Sequence, residues 1–205
     1  MARIFVSYRR ADSEGYAGRI WDRLTSKFGP DSIFMDVDSV DPGANFPSVL
    51  SQALSESCAF VAVVGTNWLG LQPDGTFRLH GADDFVGQEV RTAFEKNISV
   101  IPILVGGAKM PRAEDLPKEL GAFANLNALE IRHTKFDSDV ADLIQALETV
   151  LRQYERTRLQ AELTRLQSAS TQEHQAQPPS LETKKFLRQR LGEPKGVGRV
   201  IFGPW

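Results

Sequence analysis

Along the first 150 residues, apolar positions alternate between two rhythms, short continuous runs and stripes at spacings of three and four. Ile4, Phe5 and Val6 form a run of strand-forming residues closed by the polar Ser7, Tyr8, Arg9 and Arg10. Asp12 and Ser13 read as the cap of a helix whose stripe is Ala17, Ile20, Trp21, Leu24 and Phe28, and Gly29-Pro30 stops it. Ile33, Phe34 and Met35 begin a second strand that ends in Asp36 and Asp38. The turn-forming loop 39–45, with Asn45 as a cap, leads into a helix with Phe46, Val49, Leu50, Ala53 and Leu54 on one side. The run 60–64 is wholly apolar, the signature of a central strand covered on both faces.

A polar, glycine-rich passage, 65–81, comes before the next helix. There Asp83 or Asp84 supplies the cap, and Val86, Val90, Ala93 and Phe94 the stripe. The run 100–105 predicts a fourth strand, and Pro102 within it predicts a bulge or a ladder unpaired on one side. After an irregular stretch with short helical pieces, 111–127, Leu129, Glu130 and Ile131 predict a short fifth strand. A final helix starts near Phe136, with Val140, Leu143, Ile144, Leu147, Val150 and Leu151 as its core stripe.

This alternation predicts an α/β fold, an open five-stranded parallel sheet with helices on both faces. Right-handed crossovers then gather the loops after the strands along one edge, where such sheets bind ligands. That edge collects Tyr8, Arg9, Arg10, Asp36, Asp38, Trp68 and the start of the helix that carries Glu89. The sheet domain is expected over 1–153. A helical extension, 154–167, carries Leu159, Leu163 and Leu166 on one side, a pattern suited to a projecting or self-associating helix. A flexible linker is expected over 168–180. The basic and apolar tail 181–205 is open to three readings: disorder, docking on the sheet domain, or binding to a partner protein or membrane surface.

With 205 residues the chain suits one domain and an appendage. Its 24 basic and 26 acidic residues give a net charge of -2, so no bulk electrostatic case exists for nucleic acid or an anionic membrane. The single cysteine, Cys58, cannot form an internal disulfide and reads as a small buried residue in a reducing compartment. With only His80, His133 and His174 beside it, no metal cluster is expected. Neither a signal-peptide succession nor a run of about 20 apolar residues is present, so a cytoplasmic location without a transmembrane segment is expected. Phosphate-binding glycine motifs do not follow the first strand, and a Gly-x-Ser-x-Gly elbow is missing. A response-regulator receiver would need acids where Ser7 to Arg10 stand.

Glu89 lies four residues after Phe85 and beside the apolar stripe, at a border between core and solvent. Two readings are open on these grounds, a solvated helix glutamate or a functional carboxylate, and surface glutamate is the usual case.

Four segments in order bear on that choice. Ile4-Phe5-Val6-Ser7-Tyr8-Arg9-Arg10 resembles the first signature of Toll/interleukin-1 receptor (TIR) domains. Phe34-Met35-Asp36-Val37-Asp38 with Pro42-Gly43-Ala44-Asn45-Phe46 is similar to their second strand and the loop after it. Phe85-Val86-Gly87-Gln88-Glu89-Val90 resembles the helix that bears their glutamate, and Val100-Ile101-Pro102-Ile103 follows at the usual distance. The resemblance covers about 1–150 and implies a flavodoxin-like TIR fold of the bacterial NAD+-cleaving type.

It further implies that Glu89 is the catalytic carboxylate of an NAD+ glycohydrolase or ADP-ribosyl cyclase, with NAD+ as substrate and no cofactor. Tyr8, Arg9, Arg10, Asp36, Phe46, Trp68 and Phe85 would be the substrate-binding residues, the arginines near the pyrophosphate. Phe85 stands where many catalytic members have tryptophan, which keeps the aromatic ring and loses the indole donor. Catalytic members complete the site between neighbouring protomers, so self-association is implied, and by analogy a role in bacterial defence or host interference. The alternative within the family is a non-catalytic adaptor that docks through the loop 39–45.

Overall fold

The structure, a computed structural model, describes residues 3–35 and 46–176, with side chains from 49 to 168 in the second stretch. Among these residues, strands β1 (Arg3–Tyr8), β2 (Ile33–Met35), β3 (Ser57–Val64), β4 (Ser99–Val105) and β5 (Leu129–Ile131) alternate with helices α1 (Arg10–Phe28), α2 (Phe46–Ser55), α3 (Phe85–Glu95) and α4 (Phe136–Ala176). All strand pairs are parallel, in the order β2-β1-β3-β4-β5. This is the open, helix-covered sheet that the alternation predicts. From β1 the chain steps outward to β2 and returns on the other side as β3. The carboxyl ends of β1 and β3 therefore flank the switch point, where sheets of this kind leave a crevice.

Strand parity divides the core. Ile4, Val6 and Tyr8 of β1 and Ala59, Val61 and Val63 of β3 pack with Ala17, Ile20 and Leu24 of α1 and Val140, Leu143 and Leu147 of α4. Phe5, Phe60, Ala62 and Val64 point the other way, against Leu50, Ala53 and Leu54 of α2 and Val86, Val90 and Ala93 of α3. Every residue of β3 is buried, as a central strand requires. Each fully buried Val, Leu, Ile or Phe contributes about 1.5–3 kcal/mol relative to exposure. Phe5 stacks on Phe34 and Phe60, with ring centroids 5.1 and 5.4 Å apart, and so links three strands on the α3 face. Pro102 is accommodated because β4 pairs with β3 throughout but with β5 only from Ile103 onward, leaving one side of the ladder open at the proline.

Two expectations are corrected. Helix α1 starts at Arg10, and its Asp12 and Ser13 do not form its cap. The Asp12 carboxylate instead accepts the backbone N–H of Asn67 at 2.7 Å, and Ser13 sits at a kink with φ -137° and ψ 16°. A donor from the loop after β3 thus wins the carboxylate that the local pattern assigned to the helix. The second correction concerns 168–180, where α4 continues to Ala176 across most of the expected linker. Residues 168–176 contain neither glycine nor proline, so nothing in them breaks a helix before Pro178.

The described residues fall into two units, divided between Arg158 and Leu159. In the second, Leu159, Leu163 and Leu166 are exposed, and the tail 181–205 lies outside the described residues. No described helix is long and apolar enough to cross a membrane.

Candidate functional site

Helix α3 begins with a side-chain cap, the Asp84 carboxylate accepting the Gly87 N–H at 2.9 Å. Its buried face comprises Val86, Gly87, Glu89, Val90 and Ala93. Glu89 is 0% exposed, so the expected position on a border with solvent is corrected to one inside the core. Gly87 explains part of the shift. A Cβ there would lie 3.1 Å from the Leu79 carbonyl oxygen, so the bare α-carbon lets the helix settle close to that segment and be covered on a second side. Parity on β1 explains the rest. Ser7 points to the same face as Phe5, towards α3, and its Oγ donates to Glu89 Oε2 at 2.5 Å. Its register partner on β3 is Ala62, also small, so the sheet surface beneath this part of α3 is low. A buried carboxylate is costly unless hydrogen-bonded, and the Ser7 hydroxyl meets part of that need at the carboxyl end of β1.

At the start of α3 opens a cleft of about 450 Å³. Tyr8, Arg9, Arg10 and Glu14, from the chain after β1, line it together with Arg78, Asp84 and Phe85. Phe85 is 43% exposed at the cleft, while Tyr8 is mostly buried and packs with the α1 side of the core. Neither Ser7 nor Glu89 is among the lining residues; along the chain Ser7 adjoins Tyr8, and Glu89 follows Phe85 by about one helical turn.

Arg9 is not the exposed loop cation that its sequence context allows. Its guanidinium is 6% exposed and makes a two-pronged pair with Asp84, Nη1 to Oδ2 at 2.8 Å and Nη2 to Oδ1 at 3.1 Å. Its Nε donates to the Trp68 carbonyl oxygen at 2.8 Å. One side chain thereby ties the loops after β1 and β3 to the start of α3. Gly70, at φ 69°, makes room for it, because a Cβ there would come 3.2 Å from Arg9 Cζ and 2.9 Å from Arg78 Cβ. Arg10, by contrast, is exposed in the cleft.

The indole of Trp68 lies in the core, 2% exposed and stacked on Phe123 with ring centroids 4.8 Å apart, and does not line the cleft. Asp36 and the loop 39–45 lie outside the described residues, as does the side chain of Phe46 at the start of α2. No group of three or more His, Cys, Asp or Glu side chains among the described residues is placed to hold a metal ion. Ser7, Asp84 and Arg78 are additions to the expected site. Strand parity could have picked out Ser7, since it falls on the Phe5 face opposite the α3 stripe. Arg78 sits in an aperiodic passage that carries no such signal.

A family model described as "TIR domain" matches residues 4–145, well over half of the chain. A curated relative, the NAD(+) hydrolase tir-1 of Caenorhabditis elegans, is 26% identical over 143 residues. That alignment spans 69% of this chain and 14% of the relative. Among solved structures, the TIR domains of the activated Roq1 resistosome, which recognises the pathogen effector XopQ, align with a TM-score of 0.55 and 15% identity. They cover 72% of this chain and 99% of the Roq1 chain, a likeness of fold. From the extent of the family match, together with the 2-1-3-4-5 parallel sheet, the chain belongs to the TIR domain family.

Proposed function

We propose that this TIR domain cleaves NAD+ between nicotinamide and ribose, with Glu89 as the catalytic carboxylate. The observation that carries the reading is a fully buried glutamate, held by the Ser7 hydroxyl and one helical turn after Phe85, which lines a cleft together with exposed arginines. The name of the tir-1 relative supports the same chemistry. In NAD+ the leaving group departs from a positively charged pyridinium. The electron pair of the C1′–N bond moves to the ring nitrogen, and neutral nicotinamide leaves without a proton from the enzyme. That removes the need for the paired carboxylates of ordinary glycosidases. One carboxylate beside the ribose orients its hydroxyls and stabilises the positive charge that develops at C1′. Water then adds its oxygen to C1′ and releases a proton, giving ADP-ribose, or an adenine nitrogen of the same molecule closes a cyclic product.

Glu89 is fully enclosed, so contact with a ribose requires the side chains that cover it to part. Self-association of TIR domains is the proposed source of that rearrangement, so the isolated chain is expected to be slow and the assembled chain active. Product analysis tests the reading: NAD+ is incubated with the protein at concentrations that drive assembly, and the mixture is resolved by mass spectrometry. Nicotinamide with linear or cyclic ADP-ribose is expected, and intact NAD+ in the assembled state would refute it. The enclosure of Glu89 also gives weight to a second reading, a non-catalytic interaction module. In that case assembly would proceed with no turnover of NAD+ in any state.

A further inference from the structure

We propose that Arg78 is a phosphate-binding residue of the cleft, the partner of Arg10 in the role that the sequence motif assigns to Arg9; the proposal rests on the NAD+ reading and names how that substrate is held. Three arginines and two carboxylates line the cleft. Arg9 and Asp84 satisfy each other in a buried two-pronged pair, and Arg9 Nε is taken by the Trp68 carbonyl. A guanidinium so bound has little left to offer an incoming anion without breaking the wall of the cleft. Asp84 also caps α3, so the positive end of that helix already faces a carboxylate.

Arg78 differs in each respect. Its side chain is 55% exposed, and its Nε stands 3.8 Å from Asp84 Oδ2, within ion-pair reach but beyond a hydrogen bond. Its root is nonetheless fixed. The Arg78 N–H donates to the Gly70 carbonyl oxygen at 2.9 Å, the Leu79 N–H to that of Leu69 at 3.2 Å, and the Arg78 Cβ packs onto the bare α-carbon of Gly70. A guanidinium on an anchored backbone, with an exposed head in a cleft that the exposed Phe85 also lines, suits a ligand that carries an anion next to a flat base or sugar. Arg10 is exposed in the same cleft, so two planar forks are available there to a pyrophosphate.

Isothermal titration of the full chain with ADP-ribose tests this without requiring turnover, with adenosine as the ligand that lacks phosphate. Arg78→Ala is expected to weaken ADP-ribose binding about tenfold to a hundredfold, the range for a lost hydrogen bond to a charged group. It should change adenosine binding far less, and Arg78→Lys should recover part of the loss as a point charge. The melting temperature, read alongside, reports whether the variants are folded. Unchanged ADP-ribose affinity in a protein that cleaves NAD+ would overturn the role of Arg78 and leave the enzymatic reading intact, as would an equal loss for both ligands. A wild-type chain that binds no ADP-ribose and cleaves no NAD+ would overturn both.

Discussion

Replacing Arg9 with alanine removes the cation that is hydrogen-bonded to a carboxylate only 2% exposed. Asp84 would keep its hydrogen bond from the Gly87 N–H and a distant Arg78, but its charge would stay in the wall of the cleft without a bound counterion. Breaking a buried pair from one side costs about 3–5 kcal/mol, and the remaining partners place Arg9→Ala near the lower end of that range. Asp84→Ala strands the guanidinium with only the Trp68 carbonyl and also removes the α3 cap, for which about 1 kcal/mol more is expected. At a urea dependence of about 2 kcal/mol per molar, the two changes shift the unfolding midpoint down by about 1.5–2.5 M. The double variant Arg9→Ala with Asp84→Ala should lose clearly less than the sum of the single losses, since neither charge is then stranded. Urea titrations of the four proteins, followed by circular dichroism, give the cycle. Single losses below about 1 kcal/mol, or losses that simply add, would refute the claim that this pair clamps the cleft.

Three further expectations follow from separate parts of the molecule. Ser7→Ala removes the donor to Glu89 Oε2, so kcat for nicotinamide release should fall about tenfold to a hundredfold while the chain stays folded; steady-state kinetics beside a melting curve check this. The Arg132 guanidinium, and after it the Arg132 backbone N–H, hold the Asp139 carboxyl well below the usual carboxylate range. A carboxyl depressed in the folded state contributes stability that is complete above its unfolded value of about 4 and is lost as the pH falls below it. Asp139→Asn should therefore cost most near pH 7, and the gap to wild type should narrow below about pH 4 in urea midpoints read across pH. Burial pushes the Cys58 thiol up, so at pH 8 iodoacetamide should label it far more slowly in the native protein than in urea, as intact-mass spectrometry would show.

Most of the fold was legible because both of its rhythms are long. The stripe Val140 to Leu147 and the unbroken run 60–64 each leave few alternatives, and Pro102 announced the half-open ladder of β4. Misreadings arose where tertiary partners outbid local ones. Asp12 looked like a cap until the Asn67 N–H claimed it, and Glu89 looked like a rim residue although the Ser7 hydroxyl holds it inside the core. Periodicity cannot see such contacts, since they join positions 55 and 82 residues apart. The site was legible as an edge but not as a division of labour. The motif marks Arg9 and Arg10 alike, whereas the structure turns one into a clamp and leaves the other in the cleft. The exposure of Arg78 beside them depends on Gly70 and the backbone pairing of 70 with 78, which no local pattern encodes.

The central claim is that Glu89 is there for chemistry and not for packing. Glu89→Gln keeps the shape of the side chain and an oxygen able to accept from Ser7, so the variant should fold and assemble as wild type does. The decisive measurement is the rate of nicotinamide release from NAD+ by the two proteins, brought to the same assembled state by light scattering. The account predicts steady release by wild type and a loss of at least about a thousandfold in Glu89→Gln, equivalent to about 4 kcal/mol of transition-state stabilisation. Equal rates from the two assembled proteins would contradict it.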